Sequence, residues 1–185
     1  ADVTAERLMI EHGLGGVRIE AGSLTLRRSA VRLNRSEADG GGIANLGGTL
    51  YLKAVTLSGN DAARGAGLFN AGTAVIVNTT LGGNVATADG GGLANTGQAR
   101  LNNVTVKDNT AASGGGLAAL DGELTLSNTL LADNAAGTGP ECAGQSLASA
   151  GSNLIEVGCG LTPAGGDQIG TAEAPIDALV GPLLD

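Results

Sequence analysis

Two sets of charged residues recur at a fixed spacing, and that spacing decides what chemistry they could do. Asp39, Arg64 and Asp89 follow one another at intervals of 25 residues. Asp108 and Asp133 are also 25 apart, each followed by an asparagine, with Lys107 beside the first. Acidic clusters hold calcium in polysaccharide lyases that use an Arg or Lys base. A carboxylate pair about 5–10 Å apart cleaves a glycosidic bond. If a 25-residue period stacks the chain, Asp39, Arg64 and Asp89 fall in one column as a surface stack, or more simply as a solvated corner. Asp108 and Asp133 then fall on adjacent coils, where their separation suits a paired-carboxylate or calcium contact. Their simpler reading is a pair of solvated edge residues. We take the simpler reading for both sets and assign no catalytic, metal-binding or cofactor-binding residue.

The remaining candidates are poorer still. His12 is the only histidine and has no second His or nearby Cys with which to build a metal site or triad. Ser58, Ser113 and Ser127 lack a G-x-S-x-G context. The glycines at 13–16 read as a repeat corner rather than a dinucleotide fingerprint. Tyr51 and Phe69 are the only aromatics, too few for a sugar-stacking platform. The net charge of −8 argues against nucleic acid and anionic membrane surfaces. The longest apolar run is far short of a membrane span.

What must position these residues is a repeat. Asn34, Asn60, Asn84, Asn109 and Asn134 lie 26, 24, 25 and 25 residues apart. A fixed period in this range signals a stacked solenoid. Each unit carries three short segments of alternating apolar residues, separated by Gly, Asn or Ser, and period-2 alternation means strands. The fold expected is all-β: a single-stranded right-handed parallel β-helix, a β-solenoid of about 25 residues per coil with three short strands per coil. Handedness here follows from the general crossover rule. Neighbouring coils should lie about 4.8 Å apart, so that equivalent residues form ladders. Leu50, Ala74, Ala99 and Leu124 make one inward column; Leu52, Ile76, Leu101 and Leu126 a second; Leu57, Leu81, Val106 and Leu131 a third. Ile43, Leu68, Leu93 and Leu117 line a further wall, each after a Gly that a sharp corner or a positive φ would explain. Asn45, Asn70 and Asn95 form a second Asn column. Both Asn columns are expected to be structural ladders, each amide bonding its copies or nearby backbone.

Val3, Ala5, Leu8 and Ile10 match the offsets of Leu50, Leu52, Val55 and Leu57, and Val17 matches Ile43. The chain therefore begins within a coil, without a polar cap, as a mature or truncated chain would. After Asn134 the beat stops. Residues 1–134 are expected to form the coils and residues 135–185, with Pro140, Pro163, Pro175 and Pro182, an irregular C-terminal cap. Cys142 and Cys159 are too few for a zinc site; they are expected to pin that cap as a disulfide, which places the protein in an oxidising compartment.

The units at 40–60 and 90–109 resemble the β-helix repeats of bacterial surface proteins of the CSLREA-domain and choice-of-anchor Q group. The tail resembles the end of such an array: Leu130–Asn134, Pro140-Glu141-Cys142, Gly151–Ile155, Gly158-Cys159 and Leu179–Leu183. The repeats alone are also similar to polymorphic outer-membrane proteins. No CSLREA motif stands in the 185 residues. The resemblance implies an extracellular or cell-surface location in a bacterium and a structural or adhesive role, and brings no catalytic residues with it. The expectation is a non-enzymatic extracellular β-solenoid scaffold of adhesin type, without cofactor. It would stack end to end into a fibre through its coil ends and meet a host surface or glycan. Alternatives are a polysaccharide lyase or hydrolase built on a β-helix, and ice or flat-surface binding. The last would want an outward Thr ladder, which Thr56, Thr80 and Thr105 supply in part before Leu130 interrupts it.

Overall fold

The computed structural model describes residues 1–181; Pro182, Leu183 and Asp185, which the sequence reading places in the cap, lie outside the described residues. It is an all-β parallel solenoid of roughly six turns, with no helix among the described residues. One wall stacks Asp2–Glu6, Ser23–Arg27, Thr49–Lys53, the first half of Thr73–Gly82, the first half of Gln98–Lys107, Glu123–Ser127 and Leu147–Ser149. A second stacks Met9–Glu11, Ala30–Arg32, Thr56–Ser58, the second halves of the two long strands, Leu130–Ala132 and Leu154–Ile155. A third runs from Val17–Ile19 to Cys142–Gly144. The predicted columns are paired residue for residue: Leu50 with Ala74, Ala74 with Ala99, Ala99 with Leu124, and Ile43 with Leu68 on the third wall.

The alternating pattern builds this core directly. Along Thr49–Lys53 the leucines at 50 and 52 are fully buried while Thr49 and Lys53 are exposed. Their equivalents on every inner coil are buried as well, so one continuous aliphatic core runs along the axis. Each buried Leu or Ile contributes roughly 1.5–3 kcal/mol of apolar transfer, which is how the stack closes with almost no aromatics.

Alternation must be interrupted at each corner, and left-handed residues do this. Within Thr73–Gly82 the inward residues are 74 and 76, then 79 and 81. Asn78, at φ 51°, shifts the phase by one and turns the first wall into the second. Arg7, Arg28, Ala54, Asn103 and Asn128 hold the same conformation at the same corner. A second left-handed row precedes the Asn ladder, at His12, Leu33, Gly59, Gly83, Asp108 and Asp133.

Three findings refine the sequence reading. A fourth short strip, Asp61–Ala62, Val85–Ala86, Thr110–Ser113 and Ala135–Thr138, pairs in parallel between the Asn corner and the third wall. It hides because its inward residues are alanines, Ala62, Ala86 and Ala111, which gather with Ala66 in a small separate core. Stacking also continues past Asn134: Ala135–Thr138, Cys142–Gly144, Leu147–Ser149 and Leu154–Ile155 all add to the coils, and Gln168–Ile169 adds one last strand. The boundary expected at 134/135 is therefore not where regular stacking stops. The loss of the Asn and the arrival of Pro140 change the corner chemistry and leave the strands in place. Finally, the Gly before each third-wall residue does not have a positive φ; the left-handed glycines are Gly40, Gly65, Gly90, Gly114 and Gly139, two positions earlier in each coil. Gly92 is required by space instead. A Cβ there would lie 2.6 Å from the Gly116 carbonyl oxygen and 3.3 Å from Asn109 Nδ2.

Candidate functional site

The periodic charges do meet, as closed ion pairs. Arg64 donates from Nε to Asp39 Oδ1 at 3.0 Å and from Nη2 to Asp39 Oδ2 at 2.6 Å, a bidentate pair between adjacent coils. Its guanidinium also lies over the Phe69 ring, 5.2 Å from the centroid. The hydrogen bonds to Asp39 hold the guanidinium pKa above its ordinary value against partial desolvation, with Asp89 adding attraction. Asp39 and Arg64 are thus an ion pair across adjacent coils, more ordered than a merely solvated corner, while Asp89 follows in the column beyond ion-pair distance.

Asp108 and Asp133 stand on adjacent coils as expected, but a cation already lies between them. The Lys107 side chain is 2 % exposed, with Nζ 3.2 Å from Asp108 Oδ2 and 3.8 Å from Asp133 Oδ2. Nζ also donates to the Gly181 carbonyl at 2.7 Å, so the C-terminal segment folds back over this wall and covers the lysine. A paired-carboxylate or calcium site would need that position. Among the described residues no group of three or more His, Cys, Asp or Glu gathers around one point.

The Asn columns are hydrogen-bonded ladders. In the longer one each Nδ2 donates to the next Oδ1: Asn34 to Asn60 at 3.1 Å, and Asn60 to Asn84, Asn84 to Asn109 and Asn109 to Asn134 at 2.9 Å. The same Oδ1 atoms accept from the backbone N–H of the preceding Asn, as in Asn84 N to Asn109 Oδ1 at 3.0 Å. Each inner Nδ2 also bonds a carbonyl of the coil below. Asn45, Asn70 and Asn95 repeat the device at the next corner, with 2.7 Å contacts. Their amides are engaged internally and buried, which makes them corner chemistry.

The ladder has a terminus that the sequence reading missed. Asn134 donates its Nδ2 to Glu141 Oε2 at 2.6 Å and its backbone N–H to Glu141 Oε1 at 3.3 Å. Glu141 stands in the column of Gly42, Gly67, Gly92 and Gly116, where no further third-wall coil follows and a side chain finds room. It is fully buried. Burial pushes its carboxyl up to about 7 despite the two bonds from Asn134, and Glu156 and Asp133 add repulsion. The signal was a Glu directly before Cys142 in a position that is otherwise glycine.

Cys142 and Cys159 are disulfide-bonded, 17 residues apart. Thr56, Thr80 and Thr105 form one outward row, flanked by Ala30 and Leu130. His12 lies at a left-handed corner beside Glu11, its Nδ1 3.9 Å from the carboxylate. At the first coil, the strands Asp2–Glu6, Met9–Glu11 and Val17–Ile19 pair on one side only among the described residues. There Val3 is 51 % exposed, while its column is buried farther along at Leu50, Ala74, Ala99 and Leu124; Met9, 59 % exposed, heads the outward row of Ala30 and Thr56. No helix is long and apolar enough to cross a membrane. No protein-family model, no curated protein and no solved structure matches this chain.

Proposed function

We propose that this chain is a non-enzymatic extracellular β-solenoid scaffold with an adhesive role, of the CSLREA-domain and choice-of-anchor Q kind that its repeats resemble. The observation that carries this reading is the pairing of its candidate carboxylates. Asp39 is held by Arg64, and Asp108 and Asp133 flank the buried Lys107. Carboxylates tied this way support a wall and are not poised to take a proton from a sugar. The disulfide agrees with an oxidising location. The test is incubation with polygalacturonate and neutral glycans, with and without calcium. No release of unsaturated uronate or reducing ends is expected; steady release would replace the scaffold with a lyase or hydrolase.

Within this reading, coils of separate molecules stack end to end. Two features support it. The first coil leaves strand edges unpaired and core columns open, at Val3 and Leu8. Charge is also graded along the axis: residues 1–64 hold eight Lys and Arg against seven Asp and Glu, and residues 65–185 hold two against eleven. A head-to-tail contact sets the nearly neutral half of one molecule, net +1, rather than a second acidic half, against the acidic half of the next, net −9. Sedimentation should show concentration-dependent association that salt weakens, and negative-stain microscopy should show short rods. Monomeric particles at every concentration would refute it.

A further inference from the structure

One corner of the solenoid departs from the residue types its geometry prefers. The left-handed corner between the first and second walls is filled by Asn78, Asn103 and Asn128 in the later coils, and asparagine suits that conformation. In the first three coils the same positions are Arg7, at φ 58°, Arg28, at φ 47°, and Ala54, at φ 55°. Arg7 and Arg28 are both exposed at this corner. The neighbouring outward column adds further charge. Glu6, Arg27 and Lys53 stack in register at the ends of Asp2–Glu6, Ser23–Arg27 and Thr49–Lys53. Glu6 is shared by Arg28, 2.7 Å away, and Arg7, at 3.8 Å. Arg27 and Lys53 have no carboxylate within ion-pair distance among the described residues, and all four cations are exposed.

These cations form a straight edge parallel to the axis. Farther along, the edge continues as exposed amides, with Asn103 donating to Asn78 at 2.9 Å and Asn128 to Asn102 at 2.8 Å. Donors therefore repeat at the coil pitch, about 4.8 Å, close to the rise of one residue in an extended pyranose chain. Tyr51 stands on the same outward face two residues from Lys53, between Thr25 and Val75. A nucleic acid would want a series of aromatic platforms for its bases, and this edge has one ring.

We propose that this edge, Arg7, Arg27, Arg28 and Lys53 leading into the exposed Asn row, binds a linear acidic polysaccharide, uronate or sulfated, laid along the solenoid axis. Guanidinium groups suit carboxylate and sulfate oxygens, and the amides suit hydroxyls. The proposal extends the scaffold reading by naming its partner. Because the whole chain carries −8, general attraction opposes such binding, and any affinity must arise locally.

The test is binding of the intact 185-residue chain to heparin and polygalacturonate, by calorimetry over a salt series starting at about 20 mM. Sugar release is scored separately, so failure of the scaffold reading and failure of binding are distinguishable. Salt-sensitive binding to at least one polysaccharide is expected. Arg27→Glu with Lys53→Glu should weaken it about tenfold or more and lower the salt slope by about two. The charge-matched pair Arg18→Glu and Arg35→Glu, away from this edge, should leave binding unchanged. If the reversal pair loses its sheet circular dichroism, Arg27→Gln with Lys53→Gln takes its place. No binding at low salt, equal binding by the edge variant, or tighter binding of oligodeoxythymidine than of either polysaccharide would overturn the proposal.

Discussion

Asn134 and Glu141 show how much a single position governs in a repeat. Every Nδ2 of the long ladder points the same way along the axis, so the row ends on a donor and needs an acceptor. Glu141 supplies it from a column where glycine is required in every complete coil. The consequence is a pH dependence of definite sign. Unfolded, this carboxyl titrates near 4.5; folded, burial pushes it up to about 7. Its stabilising share is complete below about 4.5 and is lost as pH rises through about 7, on the order of 3 kcal/mol in all. Asp167 acts in the opposite sense. Burial pushes its carboxyl up, but hydrogen bonds from Ser149 Oγ, the Ala164 and Asn153 N–H groups and Asn153 Nδ2 outweigh that and hold it below its ordinary value. Its share is present above the usual aspartate range and lost as pH falls through the lowered value, outside the window of Glu141. Denaturant unfolding should therefore find the wild type more stable at pH 5 than at pH 8. Glu141→Gln, which imitates the protonated side chain, should flatten that difference. A slope that survives the substitution would place its origin elsewhere.

At the scale of elements, the strands were legible because each apolar column repeats with the period of the coil. Leu57, Leu81, Val106 and Leu131 could be aligned without knowing any corner geometry. The Ala62–Ala86–Ala111 strip was not legible, since alanine carries too little hydrophobic contrast to mark a period. The burial of Lys107 is not legible in the sequence either, because it depends on Gly181, 74 residues away. The last coil was hidden for a related reason. Its strands persist while its corners change from Asn and Gly to Pro140, Glu141 and the disulfide. That disulfide joins the end of the third wall at Cys142 to the segment after Leu154–Ile155, closing a separation of 17 residues. Chain-entropy arguments give a loop of this size about 3 kcal/mol. Cys142→Ser with Cys159→Ser should lower unfolding stability by about that amount. It should also raise hydrogen exchange first at Leu154–Ile155 and Gln168–Ile169, and leave the coils between residues 43 and 132 protected. Uniform loss of protection would mean that the last coil and the stack unfold as one unit.

The whole molecule is a one-dimensional stack in which each coil is stabilised by its neighbours, so a coil with one neighbour is the weakest. The two ends differ. The later end has a disulfide, the Asp167 hydrogen-bond cluster and a last strand at Gln168–Ile169. The first coil has Val3, Leu8 and Met9 exposed and ion pairs at Glu6 and Glu11, which at such exposure are worth little. Hydrogen exchange in dilute solution should rank protection along the axis: lowest at Asp2–Glu6 and Met9–Glu11, rising through Ser23–Arg27, and highest in the coils from Ile43 to Ala132. The same ranking tests end-to-end stacking, because an added coil would hydrogen-bond the open strands and bury Val3 and Leu8. If molecules stack, slow exchange should spread to Asp2–Glu11 as concentration rises and recede again when salt screens the graded charge. The inner coils, already covered on both sides, should not change. An end that exchanges equally fast at all concentrations would leave a solenoid that works singly, presenting its walls and its cationic edge without a neighbour.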